Sequence, residues 1–468
     1  MMRRILVGAL ALVGLVALSL ASACGGGGEE EEEEVTPGAS PPAEGGVVNI
    51  TFWHSMTAAN EDTLESLTDK FNASQDRVHV SLAFQGSYTD SLNKVLASVG
   101  AGDLPALVQL EDTATRRMVD SGAFVPAQDF IDEEDYDLSD FYPRIIDYYT
   151  ADGKLWPAPF NVSNPILFYN AKAFEEVGLD PEKPPRTVDE IREYSEKLLK
   201  KDASGNVVRT GIALEISPWF MEQMMAAHGD TYVNNGNGRQ DRATEATFDT
   251  EGGLKFFQWW DEMVDTGLGT SVGRNPSGAD HLLAIGAGRA VMTVATSAAL
   301  RSVLNVLESG QFPDVRLAIG PMPHLFEGDS GVLVGGAALW IFKDQPQERQ
   351  EAAWEFIKFL VAPEQQSEWF AGSGYLPIRL SARALPAAQE AVQKYPFFDI
   401  AIDQLLEDPP DEIAGAGPLM GPYDRIREAV ATAIEGVVVG GLSPDQALKQ
   451  AVTQATQEIE EYERRFGG

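Results

Sequence analysis

Several groupings of polar residues in this chain have the make-up of reactive sites, and none has the surroundings that such chemistry needs. Gly328-Asp329-Ser330-Gly331 is a tetrapeptide that carries the nucleophile in some hydrolases. A serine acts as one only when a base, itself oriented by a third group, reaches it. The tetrapeptide lies between two strand-like runs, where a turn is expected, and is read as a loop. Asp135-x-Asp137-x-x-Asp140 lacks the glycine and the closing glutamate of a calcium loop and is read as an exposed acidic turn. The five histidines are scattered, with no zinc-ligand spacing. No glycine-rich loop ends in Lys-Ser or Lys-Thr, so any ATP hydrolysis belongs to a separate subunit. Carboxylate pairs suited to glycoside hydrolysis meet in space, and nothing along the chain locates them. A non-catalytic protein is expected, with no cofactor and no metal.

Cys24, the only cysteine, needs another reading. Arg3 and Arg4 precede an almost unbroken apolar run from Ile5 to Leu20, and Ala21-Ser22-Ala23 stand directly before the cysteine. This is the pattern of a secretory signal peptide over 1–23. A single cysteine rules out an intrachain disulfide. Four glycines, six consecutive glutamates (Glu29 to Glu34) and a Pro/Gly/Ala/Ser stretch follow, ending at Gly46. So little of 24–46 can be buried that it is expected to be an extended tether.

About 420 residues remain, too many for one compact core. Val47 to Trp53, Val78 to Phe84 and Pro105 to Leu110 read as strands. Leu64, Leu67 and Phe71, then Leu92, Val95, Leu96 and Val99, mark helices between them. The βαβαβ order is the seed of an open parallel sheet with helices on both faces. Further strand-like runs lie at Gly211 to Ile216, Ala290 to Val294, Arg316 to Ile319 and Leu333 to Phe342. Thr187-x-x-Glu190 reads as a capping box, and Ser443-Pro444 opens the last long helix. Two α/β lobes fit this better than one, with ligand expected outside the carboxyl ends of the strands. The formal charge of −36 argues against nucleic acid or anionic membrane as partner.

Phe52-Trp53-His54-Ser55-Met56, at the end of the first strand, resembles the start of the glycerol-3-phosphate-binding components of bacterial ABC importers, within the extracellular solute-binding proteins. The resemblance continues in order through Gly86-Ser87-Tyr88, Pro105-Ala106-Leu107-Val108-Gln109, Pro159 to Pro165, Tyr169-Asn170 and Gly178 to Pro181. It ends with Gly335 to Trp340 and Gly374-Tyr375-Leu376-Pro377-Ile378. It implies a two-lobed periplasmic-binding-protein fold with parallel-type sheets and a hinge of three crossings. The expected N-terminal lobe is 47–162 and 297–342, and the C-terminal lobe 163–296 and 343–468. Cys24 resembles the lipidated cysteine of a bacterial lipobox, with Ala21 where Leu usually stands. The partners implied are a membrane permease and an ATPase, with the receptor expected to be a monomer on the outer face of the cytoplasmic membrane.

Carried over by position, the resemblance sets Tyr88 and Asp112 at the glycerol end. Ser163, Ser297, the Gly335-Gly336 backbone, Tyr375 and Arg427 surround the phosphate. The chemistry suits these residue types. A tetrahedral anion takes a guanidinium, hydroxyls and free backbone N–H groups, and a polyol takes a carboxylate and an aromatic face. Ser297 is expected at a helix start, where the dipole would help. Where relatives specialised for glycerol-3-phosphate often carry tryptophan, Ile216 stands here. The smaller side chain would admit a glycerophosphodiester such as glycerophosphocholine, with Trp219 facing the choline. A sugar or oligosaccharide receptor of the same family is the alternative, with Trp219, Trp259, Trp260, Trp340, Trp354 and Trp369 to draw on; a secreted hydrolase is a more distant one.

Overall fold

The computed structural model describes residues 46–99, 104–275 and 278–467. The expected leader, Cys24 and the tether up to residue 45 lie outside the described residues. Among those described, no helix is long and apolar enough to cross a membrane.

Two six-stranded sheets organise the described residues from 47 onward. In chain order the strands are β1 (Val48–His54), β2 (Val78–Phe84), β3 (Leu107–Glu111), β4 (Phe124–Val125), β5 (Ala158–Ser163), β6 (Pro165–Asn170), β7 (Lys200–Lys201), β8 (Val207–Leu214), β9 (Gly269–Ser271), β10 (Ala290–Thr296), β11 (Leu317–Pro321) and β12 (Gly335–Phe342). The first sheet runs β2-β1-β3-β12-β4, with β5 also on β12; the second runs β9-β8-β10-β6-β11, with β7 on β8. In each, a parallel core has antiparallel strands added. β1 pairs in parallel with β2 and β3, while β12 runs antiparallel to β3, β4 and β5. β8 pairs in parallel with β9 and β10, while β6 runs antiparallel to β10 and β11. The sheets are therefore mixed, because strands arriving from the other sheet enter in the opposite direction.

The chain passes between the sheets at three places. Only Asn164 separates β5 from β6, residues 322–334 lead from β11 back to β12, and a third passage follows Pro377. There, Leu376 still pairs with Val162 of the first sheet, whereas helix Ile400–Leu406 packs on β6 and β11. The expected lobe boundaries shift in several places: Ser163, placed with the second lobe, closes a strand of the first sheet, and helix Pro363–Ser373, also placed there, packs on helix Ala59–Ser74. Leu317–Pro321, placed with the first lobe, is a strand of the second sheet. Helix Gln347–Leu360, placed with the second lobe, lies on β1, its Phe356 ring 6.1 Å from Phe52. One apolar cluster runs through both sheets, from Phe52 and Leu339 to Phe168 and Met292. β5 and β6 are buried along almost their whole length, so they show no in-out alternation along the chain.

Local signals are met unevenly. Ser443 makes a full capping box with Gln446. Thr187 accepts from the Glu190 N–H at 3.2 Å, but the Glu190 carboxylate turns to the N–H of Arg186, so that box is only half formed. Gly328 to Gly331 is a loop. Its Ser330 hydroxyl donates to the Asp408 carbonyl at 2.8 Å, and His228 is engaged by Asp329 instead.

Candidate functional site

The carboxyl end of β1 begins a chain of polar contacts. The Ser55 N–H donates to Gln109 Oε1 (3.0 Å), and Gln109 Nε2 donates to Asn161 Oδ1 (2.7 Å). Asn161 Nδ2 donates to the Tyr88 hydroxyl (3.0 Å), which lies 3.1 Å from that of Tyr375. Tyr88 is the first residue of its helix, opened by a Ser87–Asp90 capping box. Tyr375 is held flat against Trp369, with ring centroids 5.4 Å apart and planes 10° from parallel. Burial, then the neighbouring Tyr375, hold the Tyr88 phenol well above its usual pKa. Both tyrosines are therefore neutral hydroxyls that donate or accept.

Ser163 closes β5 opposite Gly335 of β12. Gly336 has φ +104°, and a Cβ there would lie 2.0 Å from the Asn161 carbonyl oxygen, so only glycine lets the strands meet. A Cβ on Gly335 would lie 2.7 Å from Trp219 Cζ2, which puts the half-buried indole against the Gly335 backbone. Ser297 follows β10. Its N–H donates to the Asn164 carbonyl (2.9 Å), and its Oγ accepts from the Asn164 N–H (3.4 Å). The expected helix start at Ser297 is a 3₁₀ turn, and the helix proper begins at Leu300. The Ser297 N–H is thus already used, and the residue does not stand at the N-terminus of a helix proper. Asn164, fully buried, is fixed by the Ala401 carbonyl and by Gln404.

A charged group faces this seam from the other side. Helix Pro218–His228 carries Glu222, and helix Tyr423–Val438 carries Arg427. Arg427 donates through Nε and Nη2 to the two Glu222 oxygens (2.9 and 2.8 Å) and through Nη1 to Glu111 Oε1 (2.8 Å). Burial works against its charge, but Glu222 and then Glu111 more than offset this, and its pKa is raised well above normal. The Tyr423 hydroxyl also donates to Glu222, at 3.1 Å.

Asp112, expected at the ligand, is turned inward. It is buried and accepts from the Tyr148 hydroxyl at 2.6 Å. Burial, then the Glu111 carboxylate, push its pKa up to about 7. The carboxylate turned toward the seam is its neighbour Glu111, whose side chain is 34 % exposed. The two adjacent carboxylates face opposite ways because β3 ends at Glu111: the next residue begins a 3₁₀ turn and points into the core.

The structure thus joins Tyr88 to Tyr375, Ser163 to Gly335 and Gly336, and Gly335 to Trp219. Gly374 meets Ser297, since a Cβ there would lie 2.6 Å from the Ser297 carbonyl oxygen. Ile216 is buried, its N–H donating to the Gly273 carbonyl. Sequence reasoning missed Glu111, Asn161, Asn164 and Glu222. For Glu222 a signal existed, since it is the one charged residue in Pro218 to Ala227, a segment that is apolar apart from it and Gln223. Beside Tyr88 and Tyr375 opens a cavity of about 430 Å³, walled by Phe168, Leu282, Val303 and Phe312 and rimmed by Ser55 and Asn60.

Comparison with known proteins gives a consistent picture. Residues 66–398 match the family model of the bacterial extracellular solute-binding proteins. The sn-glycerol-3-phosphate-binding periplasmic protein UgpB of Escherichia coli K12 is 31 % identical over 426 residues, covering 89 % of this chain and 94 % of UgpB. Among solved structures, UgpB of Mycobacterium tuberculosis in complex with glycerophosphocholine superposes with a TM-score of 0.73 at 18 % identity, over 89 % of this chain and all of that one. The cyclic alpha-maltosyl-1,6-maltose binding protein of Arthrobacter globiformis gives 0.69 at 23 % identity, again over 89 % of this chain and all of that one.

Proposed function

Since the chain belongs to the bacterial extracellular solute-binding proteins, we propose that it is the receptor of an ABC importer for a glycerophosphate ester, and that a diester is its better ligand. The observation that carries this reading is the grouping of Arg427 with Glu111 and Glu222 beside the hydroxyls and glycine backbone of the seam. Arg427 is the cation that an ester phosphate needs. Two carboxylates already share it, so a doubly charged phosphate meets more repulsion here than a singly charged diester does. In this reading the phosphate takes Nη1 of Arg427 and displaces the half-exposed Glu111. The freed carboxylate, with the face of Trp219, then receives a cationic head group. Tyr88 and Ser163 bind the glycerol hydroxyls and phosphate oxygens. The relatives named for glycerol-3-phosphate and glycerophosphocholine support the same class. A lipid on Cys24, left as the N-terminus once a signal peptide is removed, would keep the receptor beside its permease.

The carboxylates also favour a second reading, a neutral sugar, which binds carboxylates through its hydroxyls without needing Arg427. Calorimetry on the mature chain with glycerol-3-phosphate, glycerophosphocholine and maltose separates the two. Tightest binding of glycerophosphocholine is expected. Binding of maltose alone would overturn the proposal.

A further inference from the structure

We infer that the cavity beside Tyr88 and Tyr375 is a second subsite, built for an aliphatic acyl chain esterified to the glycerol, so that the receptor takes monoacyl glycerophosphodiesters. This rests on the glycerophosphate reading above. The cavity is continuous with the candidate site, since both tyrosines whose hydroxyls end the polar chain from Ser55 also line it. Its walls are the aliphatic and aromatic faces of Phe168, Leu282, Leu283, Val303, Val306 and Phe312. Leu283 and Val306 are among the few large apolar side chains left exposed, at 45 % and 39 %. Apolar surface held open to solvent beside a polar site marks a place where an apolar group is bound.

The rim fits the linkage that a chain would bring. Ser55 lines the cavity, and its hydroxyl is buried with no hydrogen-bond partner among the described residues. Asn60 Oδ1 is in the same condition, although its Nδ2 donates to the Ala298 carbonyl at 3.2 Å. A buried donor left unpaired is costly. An acyl ester offers the carbonyl acceptor that Ser55 lacks, and the remaining glycerol hydroxyl offers the donor that Asn60 Oδ1 lacks. A bare glycerophosphodiester supplies no acyl carbonyl and leaves the apolar walls wet. With about fourfold in affinity for each methylene buried, an octanoyl chain that buries half its length tightens binding on the order of a hundredfold.

The test is calorimetry with octanoyl-glycerophosphocholine against glycerophosphocholine, both below micelle formation, and with octyl maltoside against maltose. In the wild type the octanoyl ester should bind on the order of a hundredfold tighter. Val303→Trp, which fills the cavity, and Leu283→Glu, which charges its exposed wall and leaves the core alone, should each abolish that gain while glycerophosphocholine binds as before. Ser55→Ala should remove several-fold of the gain. An acyl chain that weakens binding, or a gain that survives both wall variants, overturns the subsite. If neither glycerophosphate binds, the head-group reading has failed. The octyl maltoside pair then decides the subsite alone: a chain-dependent gain abolished by Leu283→Glu keeps it, and no gain overturns it.

Discussion

Arg427 grips Glu222 with two nitrogens, at 2.9 and 2.8 Å, and Glu111 with only one, at 2.8 Å. The two carboxylates differ in more than count. The Glu222 side chain is 1 % exposed and is also held by the Tyr423 hydroxyl, while that of Glu111 is 34 % exposed. The first is a fixed counter-ion and the second an exchangeable one.

Loss of the guanidinium therefore strands a buried carboxylate, and Arg427→Ala should destabilise the fold by about 3–5 kcal/mol. Replacing the pair together, as Arg427→Met with Glu222→Gln, should restore most of that stability, since neither partner is then left charged and alone. Phosphate-ester binding should be absent from both variants. Urea unfolding beside calorimetry separates the two effects. A single variant as stable as wild type would contradict the buried pairing.

The exchangeable carboxylate makes a different prediction. Glu111→Gln removes one negative charge from beside the proposed phosphate position and should shift preference toward the doubly charged ligand. The ratio of glycerol-3-phosphate to glycerophosphocholine affinity should rise on the order of tenfold. A ratio unchanged at low salt would place the phosphate away from Arg427.

How much of this could be read along the chain depends on how local each signal is. β1 and β2, with helix Ala59–Ser74 between them, follow from apolar spacing within single segments. The adjoining strands β5 and β6 escaped because burial on both faces erases alternation and a single residue separates them. Tyr88, Ser163, Ser297, Gly335, Gly336 and Tyr375 were reached through resemblance and lie along one seam. Asp112 is turned inward and Glu111 outward, since a strand end fixes which of two adjacent carboxylates faces outward. That Arg427 is shared by Glu111 and Glu222 could not be read, because those contacts span 316 and 205 residues.

Asp112 should leave a mark on stability against pH. Folding holds its proton up to about pH 7, whereas an unfolded aspartate releases it near pH 3.9. Between those values the folded state binds more protons, so this group makes stability fall as pH rises. His54, pushed down to about 4 by burial, acts oppositely below pH 6.5. The difference between Asp112→Asn and wild type isolates the carboxyl, because asparagine keeps an acceptor for the Tyr148 hydroxyl. The variant should gain stability relative to wild type from pH 4 to 7, by at most about 1.4 kcal/mol per pH unit. Parallel chemical-denaturation profiles would show that Asp112 is charged throughout.

The paired glycines should separate fold from site. Gly336→Ala drives a Cβ to 2.0 Å from the Asn161 carbonyl oxygen at φ +104°, and backbone cannot give way there without breaking the β5–β12 pairing. A loss of at least about 2 kcal/mol is expected, with weaker binding as its consequence. Gly335→Ala meets first the edge of Trp219, at 2.7 Å, where an indole on a half-exposed helix turn can swing aside, and then the Ser163 carbonyl oxygen at 3.1 Å, which needs a shift of only a few tenths of an ångström. Stability should then change by less than about 1 kcal/mol, while the ligand-induced change in tryptophan fluorescence is lost and affinity falls. If Gly335→Ala unfolds the chain as readily as Gly336→Ala, the Trp219 ring is a packing element of the core and not a wall of the binding site.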